Sequence, residues 1–414
     1  MSENLSKDSS CIIIGASHAG VNCAFQLRRE GWEGEILLFE AAKELPYHRP
    51  PLSKSCLVEE ELQLNFLKPK DSYSKSQIDL KLGKKIIKID TDQKEVHCEE
   101  GETYRYDKLV LATGAAAMVP PISGLSEANN CFVLRSAADV KHIRNRVQSA
   151  VSPKVLIIGG GFIGLEVAAS LRKMGLEVVL LEREQRLLAR VSSPEISAFY
   201  ENYHTEKGVE IFCSKGVSHI ESQSGKNIIS CTDGSNYEAD FIILGTGIRV
   251  HTELAREAGI EIEHGIKVNE YMETSVPDIY AIGDNSFHFN PIYQSYVRIE
   301  SVPNAVAQAR TAAQTICGNP SPYEEVPWFW SDQYELKFQT AGLLNGYDEA
   351  IMRKEGEHQF SLWYFKGDQL LAVDAVNSPK AYMMGRKYIK EKALLDKDKI
   401  RDTDLSLKQG LLLS

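Results

Sequence analysis

The sequence predicts an α/β protein in which the first two domains share one design. Three observations lead to this prediction. A strand, a glycine turn, a helix and a second strand follow one another over residues 11–40. The same order recurs over residues 154–182, and after Pro327 apolar and polar residues alternate as in antiparallel strands. We therefore expect two Rossmann-like (three-layer ββα) dinucleotide-binding domains, followed by an α+β C-terminal domain.

The first repeat has the features of a dinucleotide-binding unit. Its turn carries Gly15 and Gly20, and glycines there let the backbone approach a pyrophosphate. The helix that follows supplies free N–H groups and a partial positive charge. Glu40 ends the next strand, where a carboxylate holds ribose hydroxyls. Ser17 replaces the middle glycine of the pattern; its hydroxyl is small and able to donate a hydrogen bond.

The second repeat carries the complete glycine pattern, with Gly159, Gly161 and Gly164 in the turn and Glu182 at the end of the next strand. A carboxylate in that place repels a 2′-phosphate, so the second site is predicted to take NAD(H). Arg183 and Arg186 leave NADPH open, because an arginine can accept a 2′-phosphate.

Two dinucleotide sites in one chain imply two dinucleotides. A hydride from a nicotinamide needs an acceptor, and the simplest second dinucleotide is FAD, which takes two electrons together and releases them singly. The loop of residues 47–54 follows the first unit and is stiffened by Pro50 and Pro51. Lys54 at its end either lies against the flavin and stabilises negative charge there, or is a surface lysine after a turn.

The rest of the chain repeats this plan. Short alternating segments in residues 80–106 predict an antiparallel excursion, and buried strands end in small residues at Thr113 and again at 245–247. Asp284 follows another short strand, and ligands of parallel sheets gather at strand carboxyl ends. Residues 301–316 have helical spacing with a proline in the first turn.

Breaks in these patterns suggest the domain boundaries. We predict an FAD-binding domain of residues 1–117 and 248–326, an NAD-binding domain of residues 118–247 and a C-terminal α+β domain of residues 327–414. A helical segment rich in cations is expected over residues 381–392.

Composition excludes few functions. The 414 residues carry a net charge of −10, spread along the chain, which argues against nucleic acid as a general ligand. Residues 1–10 are polar and the apolar run after them is short, so a cytoplasmic protein without a membrane segment is expected. Eight scattered cysteines with no CxxC pair suggest neither a metal centre nor a disulfide framework.

Five ordered segments give the chain a family resemblance. They are residues 47–54, 159–166, 281–284, 300–305 and 327–333. Together they resemble the FAD-dependent ferredoxin reductases of bacterial oxygenase systems, over residues 11 to about 390. The last segment, with its two tryptophans, makes the resemblance specific.

The resemblance implies a role for each matching residue. Those implied to hold FAD are Gly15, Ser17, Gly20, Glu40, Arg49, Lys54, Thr113, Asp284, Val302 and Trp330. Gly159, Gly161, Gly164 and Glu182 are implied to hold NADH. Glu166 is implied to lie near the nicotinamide and flavin, although the residues alone suggest only a glutamate favoured by the helix dipole. Lys54, Glu166 and Trp330 are thus the candidate catalytic residues, while an indole at a domain seam also suits simple packing.

The implied activity is NADH-dependent reduction of a [2Fe-2S] ferredoxin that supplies an oxygenase, either a Rieske dioxygenase or a cytochrome P450. The family implies that such a ferredoxin is acidic, so a basic docking patch is expected. The cations to test are Arg310, Lys337, Arg386, Lys387 and Lys390, each of which also suits a solvated surface.

Three alternatives stay open. In the first alternative, the acceptor is a rubredoxin instead of a ferredoxin. In the second, Cys56 acts as a sulfenic-acid centre, which would make the chain an NADH oxidase or peroxidase or a coenzyme A-disulfide reductase. In the third, the flavoprotein serves mainly as a redox-sensitive interaction partner, a class expected to carry long insertions or targeting segments that this sequence does not show. A lone cysteine is usually a packed apolar residue, which argues against the Cys56 alternative.

Overall fold

The computed structural model describes residues 7–149, 153–408 and 411–412. These residues form 26 strands and ten helices. The strands are β1 (Ser10–Ile14), β2 (Glu35–Glu40), β3 (Ile78–Leu82), β4 (Ile86–Asp90), β5 (Glu95–Cys98), β6 (Thr103–Arg105), β7 (Lys108–Leu111), β8 (Ala115–Ala117), β9 (Cys131–Val133), β10 (Lys154–Ile158), β11 (Glu177–Leu181), β12 (Val209–Phe212), β13 (Val217–Gln223), β14 (Lys226–Cys231), β15 (Asn236–Ala239), β16 (Phe241–Leu244), β17 (Ile248–Val250), β18 (Ile266–Val268), β19 (Ile279–Ala281), β20 (Ser286–Asn290), β21 (Ser295–Val297), β22 (Trp328–Gln333), β23 (Leu336–Gly342), β24 (Glu349–Gly356), β25 (Gln359–Lys366) and β26 (Gln369–Val376).

The helices are α1 (His18–Arg29), α2 (Ser55–Val58), α3 (Lys70–Lys75), α4 (Ala137–Gln148), α5 (Phe162–Lys173), α6 (Pro194–Glu206), α7 (Glu253–Glu257), α8 (Val302–Ile316), α9 (Pro379–Glu391) and α10 (Lys397–Arg401). A turn of 3-10 helix, Pro50–Ser53, precedes α2.

The chain separates into two compact units. The first contains the residues up to His48, Asn65–Ala115 and Val250–Phe329. The second contains Arg49–Leu64, Ala116–Arg249 and the residues from Trp330 onward. The loop that carries Lys54 thus packs with the second unit. The assignment of the predicted ranges to an FAD-binding, an NAD-binding and a C-terminal domain stays a prediction.

The first unit is built on a parallel sheet of five strands, in the order β19, β7, β1, β2, β3. Its central strands are apolar on both faces because both faces are covered: α1 packs against α8, and residues of β4 and β5 belong to the same hydrophobic core. Ser301 caps α8 through its hydroxyl, and Pro303 lies in the first turn as predicted. A small antiparallel sheet, β4 to β6, follows β3. It begins at Ile86 and not at Leu80, because Leu80 lies in β3 of the parallel sheet.

The second unit contains a parallel sheet in the order β12, β11, β10, β16, β9. Four of its strands follow the same chain order as β3, β2, β1 and β7 of the first unit, so the repeat seen in the sequence is a repeat of topology. An antiparallel sheet, β13 to β15, buries Ile220 and Ile229 against Leu156 and Val179.

The C-terminal part of the second unit is a five-stranded sheet in the order β22, β23, β26, β25, β24, and β23 to β26 pair antiparallel. Helix α9 packs on this sheet at Gly385, where an added Cβ would lie 2.5 Å from the side chain of Val373. Arg353 is buried and donates to four carbonyls of residues 400–405, which fixes the chain after α10. The predicted fold class, two Rossmann-like domains and an α+β domain, is confirmed.

No helix in the described part of the chain combines the length and the apolarity needed to cross a membrane.

Candidate active site

The glycine turn of the second unit is closely fitted to its surroundings except at one point. Gly159 has φ +112°, and its N–H donates to Leu181. A Cβ at Gly164 would lie 2.0 Å from the Gly159 carbonyl oxygen, so the start of α5 and the turn touch backbone to backbone. A Cβ at Gly161 would meet nothing within 4 Å. The open space at Gly161, at the N-terminus of α5, suits the close approach of a pyrophosphate.

The glycine turn of the first unit repeats these contacts. Gly15 has φ +103° and donates to Phe39, and a Cβ at Gly20 would lie 1.8 Å from the Gly15 carbonyl oxygen. Ser17 begins α1 with φ −96°, an extended conformation that any residue adopts. The serine therefore costs no backbone strain in place of the middle glycine.

The two strand-end carboxylates make equivalent contacts. Glu182 Oε2 accepts from the N–H of Gly160 at 2.6 Å, and its Oε1 accepts from Glu184 at 2.7 Å. Glu40 accepts in the same way from the N–H of Ala16 and of Ala42, at 3.0 Å each. Each carboxylate therefore holds its own glycine turn as well as standing where a ribose would bind.

The arginines beside Glu182 are already engaged. Arg186 donates to the carbonyls of Ser192 and Ala189 and to the hydroxyl of Ser197. Arg183 is exposed and pairs with Glu184. Arg186 is thus committed to its own loop, which weakens the alternative of a 2′-phosphate site.

The strand ends of the first unit bring together the predicted Thr113 and Asp284 and a residue that sequence reasoning missed. Asn285 is fully buried, and its amide nitrogen donates to the hydroxyl of Thr113 at 2.9 Å. Its Oδ1 is buried and has no hydrogen-bond partner among the described residues. Asp284 is half-buried, three residues beyond β19. An orphaned amide oxygen beside strand ends is typical of a site that a polar ligand completes.

Val302 is the first residue of α8, and the first turn of this helix contains no acidic residue. The partial positive charge of this helix start favours an electron-rich ligand at Val302, while the hydroxyl and the carbonyl of Ser301 already accept from the N–H groups of Asn304 and Ala305.

In the second unit the candidates Lys54 and Glu166 form an ion pair. Lys54 Nζ lies 2.6 Å from Glu166 Oε2, and the lysine side chain is only 22% exposed. The hydroxyl of Ser53 donates to the same oxygen at 2.5 Å, and the hydroxyl of Ser331 donates to Oε1 at 2.6 Å. Glu166 is buried, so three donors hold a charge that would be costly there alone. The two serines carried no sequence signal before the fold placed them.

The loop that carries Lys54 is anchored to the second unit. Arg49 donates to the carbonyl of Arg135 at 2.7 Å. The buried guanidinium of Arg144 donates to the carbonyls of Cys56, Glu59 and Glu60. The stiffness predicted from the two prolines is thus reinforced by two arginines.

Cys56 lies in this anchored segment and is buried. Burial raises the pKa of its thiol, with Glu59 adding to the effect. A redox cysteine needs an exposed thiol with a lowered pKa, so the environment of Cys56 favours a packed residue.

Trp330 is half-buried in β22. Strand alternation directs its side chain away from the face that carries Ser331 and Gln333. Trp330 directly precedes Ser331, the residue that contacts Glu166. A role of Trp330 beside a flavin stays a prediction.

Comparison with known proteins decides the family. Residues 9–309 match the family described as pyridine nucleotide-disulphide oxidoreductase, and residues 328–411 match a domain described as reductase C-terminal. The chain belongs to the pyridine nucleotide-disulphide oxidoreductase family. It is an oxidoreductase, and this family uses FAD and NAD(H).

Several known proteins match this chain over nearly the full length of both partners in each comparison. Putidaredoxin reductase of Pseudomonas putida is 38% identical, over 98% of this chain and 97% of its own. The ferredoxin reductase subunit of 5,5'-dehydrodivanillate O-demethylase from a Sphingobium species is also 38% identical, over 96% of this chain and 97% of its own. The crystal structure of the covalent putidaredoxin reductase–putidaredoxin complex superposes with a TM-score of 0.92, at 38% identity, over 97% of this chain and 98% of the other.

The residues present fit the two cofactors. Both glycine turns have backbone contacts that a Cβ would break, and the orphaned Asn285 oxygen lies at the strand ends where FAD is expected. The open approach at Gly161 and the carboxylate of Glu182 fit NADH.

Proposed function

We propose that the chain is an FAD-dependent NADH:ferredoxin oxidoreductase that supplies an oxygenase system. The observation that carries the proposal is the Lys54–Glu166 pair, which joins the anchored loop to α5 of the second unit. The relatives of this chain are named as reductases of ferredoxins. When bound, FAD accepts an electron pair from NADH and releases the electrons singly.

The residues of the first unit hold FAD in this proposal. Gly15 and Gly20 let the turn pack closely, the N-terminus of α1 receives the pyrophosphate, and Glu40 receives ribose hydroxyls. Thr113, Asp284 and Val302 lie at strand ends and at the start of α8, where they fix the rest of the cofactor.

The residues of the second unit hold NADH and supply charge. Gly161 admits the pyrophosphate and Glu182 disfavours a 2′-phosphate, so NADH is the proposed donor. Lys54 provides a fixed positive charge, which Glu166 keeps in one orientation. Because hydroxyl donors on both sides hold Glu166, the pair keeps its geometry without reorganising during reaction.

The proposed partner is an acidic [2Fe-2S] ferredoxin. Met383, Lys387 and Lys390 lie on one exposed face of α9, as their helical spacing requires. Exposed cations around an apolar side chain suit a transient, salt-sensitive encounter with an acidic protein. Lys337 is also exposed in the second unit, and Arg310 is exposed in the first.

We propose that the chain works in the cytoplasm. All eight of its cysteines are free thiols, which is typical of a reducing compartment.

A stopped-flow experiment tests the function. The yellow protein is mixed anaerobically with NADH and then with a [2Fe-2S] ferredoxin or a rubredoxin, while flavin and iron absorbance are followed separately. NADH should bleach the flavin, and the ferredoxin should restore its colour as the iron–sulfur cluster is reduced. If only oxygen or peroxide restores it, and Cys56→Ser abolishes that reaction, the chain is a cysteine-dependent oxidase. If only rubredoxin restores it, the acceptor is a rubredoxin.

A further inference from the structure

A buried chain of hydrogen bonds continues from Glu166 into the core of the second unit. The hydroxyl of Ser331 donates to Glu166 Oε1, and the side-chain nitrogen of Gln333 donates to the Ser331 hydroxyl at 3.1 Å. The Gln333 side-chain oxygen contacts Nε2 of His204 at 2.8 Å. Ser331, Gln333 and His204 are at most 1% exposed. We call these three residues the Glu166 support chain.

The order of donors in the Glu166 support chain is fixed. The Ser331 hydrogen is committed to a carboxylate, so its oxygen can only accept from the nitrogen of Gln333. The amide oxygen of Gln333 then faces His204, so Nε2 of His204 must carry the hydrogen. Every hydrogen bond therefore points its hydrogen toward Glu166. An ionised carboxylate suits this position because it has acceptors and no donor.

His204 is a neutral end to this chain. Burial lowers the pKa of its imidazole to about 4, although the bond to Gln333 raises it in part. Its Nδ1 is buried with no hydrogen-bond partner among the described residues, and the ring packs between Tyr200 and Tyr334. A ring packed in this way keeps its orientation and its tautomer.

The geometry points to a positioning role: we propose that Ser331, Gln333 and His204 hold Glu166 as the ionised, correctly oriented partner of Lys54. The inference rests on the proposed function, since it concerns the same ion pair. The Glu166 support chain connects three elements of the second unit. Ser331 and Gln333 share a face of β22, Glu166 lies on α5 and His204 lies on α6. None of the three side chains is needed for the glycine turn or for Glu182, so NADH binding should not depend on them.

The test compares variants of Ser331 in the FAD-loaded protein. Ser331→Ala removes the donor to Glu166, and Ser331→Thr keeps a hydroxyl. We expect Ser331→Ala to slow flavin bleaching by NADH about tenfold at saturation, with the NADH KM changed less than twofold. Ser331→Thr should recover most of the rate. The matched control is Ser361→Ala, which removes an equally buried hydroxyl from β25, where it accepts from the indole N–H of Trp363.

A second measurement does not depend on turnover. The ¹⁵N NMR shifts of the FAD-loaded protein labelled at histidine should show His204 with Nε2 protonated and Nδ1 unprotonated, unchanged between pH 5.5 and 8. Gln333→Leu removes the acceptor of Nε2, and the signal should then shift toward a mixture of tautomers.

The outcomes separate the two ideas. If Ser331→Ala loses thermal stability as Ser361→Ala does but keeps the wild-type rate of flavin bleaching, the Glu166 support chain is only structural and the inference is wrong. A mixed His204 tautomer in the wild type would also overturn it. If the Ser331 variants behave as expected and yet no ferredoxin accepts electrons, the positioning role stands and the proposed acceptor is wrong.

Discussion

At the scale of single residues, the molecule contains two buried acids in different surroundings. Glu166 has a cation and two hydroxyls. Asp374 is also fully buried, and among the described residues it accepts from hydroxyls, such as those of Ser192 and Tyr364 at 2.7 and 3.0 Å. Burial raises the pKa of Asp374 to about 6, against the partial opposing effect of its hydroxyl donors. A buried acid without a cation is costly when ionised.

The raised pKa makes stability depend on pH in a definite direction. The usual pKa of an aspartate in an unfolded chain is about 3.9. Between about pH 4 and pH 6 the folded state holds a proton at Asp374 that the unfolded state has lost, so the free energy of unfolding falls as pH rises. Asp374→Asn should remove this dependence. The wild type should lose about 3 kcal/mol relative to the variant over that range, measured by denaturant unfolding of the FAD-loaded protein at each pH.

The exposed hairpin residue Asp368 provides the control, since Asp368→Asn should leave the pH dependence as it is. A constant difference between the wild type and Asp374→Asn would mean that Asp374 stays ionised in the fold.

At the scale of elements, substitutions in the glycine turn before α5 should separate an effect on NADH binding from an effect on folding. A Cβ at Gly161 enters open space, whereas a Cβ at Gly164 meets the carbonyl of Gly159 at 2.0 Å. Gly161→Ala should therefore fold normally and raise the NADH KM by on the order of tenfold, because the methyl occupies the approach of the pyrophosphate. Gly164→Ala should lower thermal stability by about 1–3 kcal/mol, because backbone must move.

Thermal unfolding and NADH titration of both variants check this expectation. An unchanged NADH KM in Gly161→Ala would show that NADH does not approach the protein at this turn. A fully stable Gly164→Ala would show that the turn relaxes without cost.

The elements also show what the sequence could predict. Glycine spacing and strand-end acids are local signals, and they gave both dinucleotide units with Gly15, Glu40, Gly159 and Glu182 in place. Lys54 was predicted from its rigid loop, but its partner Glu166 came only through resemblance. Their contact joins residues far apart in the chain, which no local pattern encodes.

Residues that act through tertiary contacts carried no sequence signal. Ser331, Gln333, His204 and Asn285 are ordinary polar residues until the fold buries them beside a partner. The pairing of the loop at residues 49–64 with the second unit was also hidden, because it depends on Arg144 reaching three carbonyls of that loop.

At the scale of the whole molecule, a chain with a net charge of −10 is proposed to receive an acidic partner. Attraction then requires a local excess of cations, and the exposed face of α9 with Lys387 and Lys390 provides one. Within about 8–10 Å a charge acts through physiological salt, so local charge outweighs the net charge of the chain.

Charge reversal tests this view. Lys387→Glu combined with Lys390→Glu should slow electron delivery to a [2Fe-2S] ferredoxin by about tenfold or more at low salt, with a smaller effect at high salt. Flavin bleaching by NADH should stay at the wild-type rate. Lys70→Glu combined with Lys141→Glu, at exposed lysines on α3 and α4, changes the net charge by the same amount and provides the control. If the control slows ferredoxin reduction as much as the double variant, the effect is one of net charge and α9 is not the docking face.

The contacts of Glu182 set a limit on redesign of the coenzyme preference. Its carboxylate accepts from the backbone N–H groups of Gly160 and Glu184. A substitution that only removes the charge, such as Glu182→Ala, would strand both donors and loosen the turn that NADPH also needs. Glu182→Gln discards the repulsion but keeps an acceptor for only one of these donors, and its amide NH2 then faces the other N–H. A redesign for NADPH therefore has to supply a new acceptor for the turn as well as added cations.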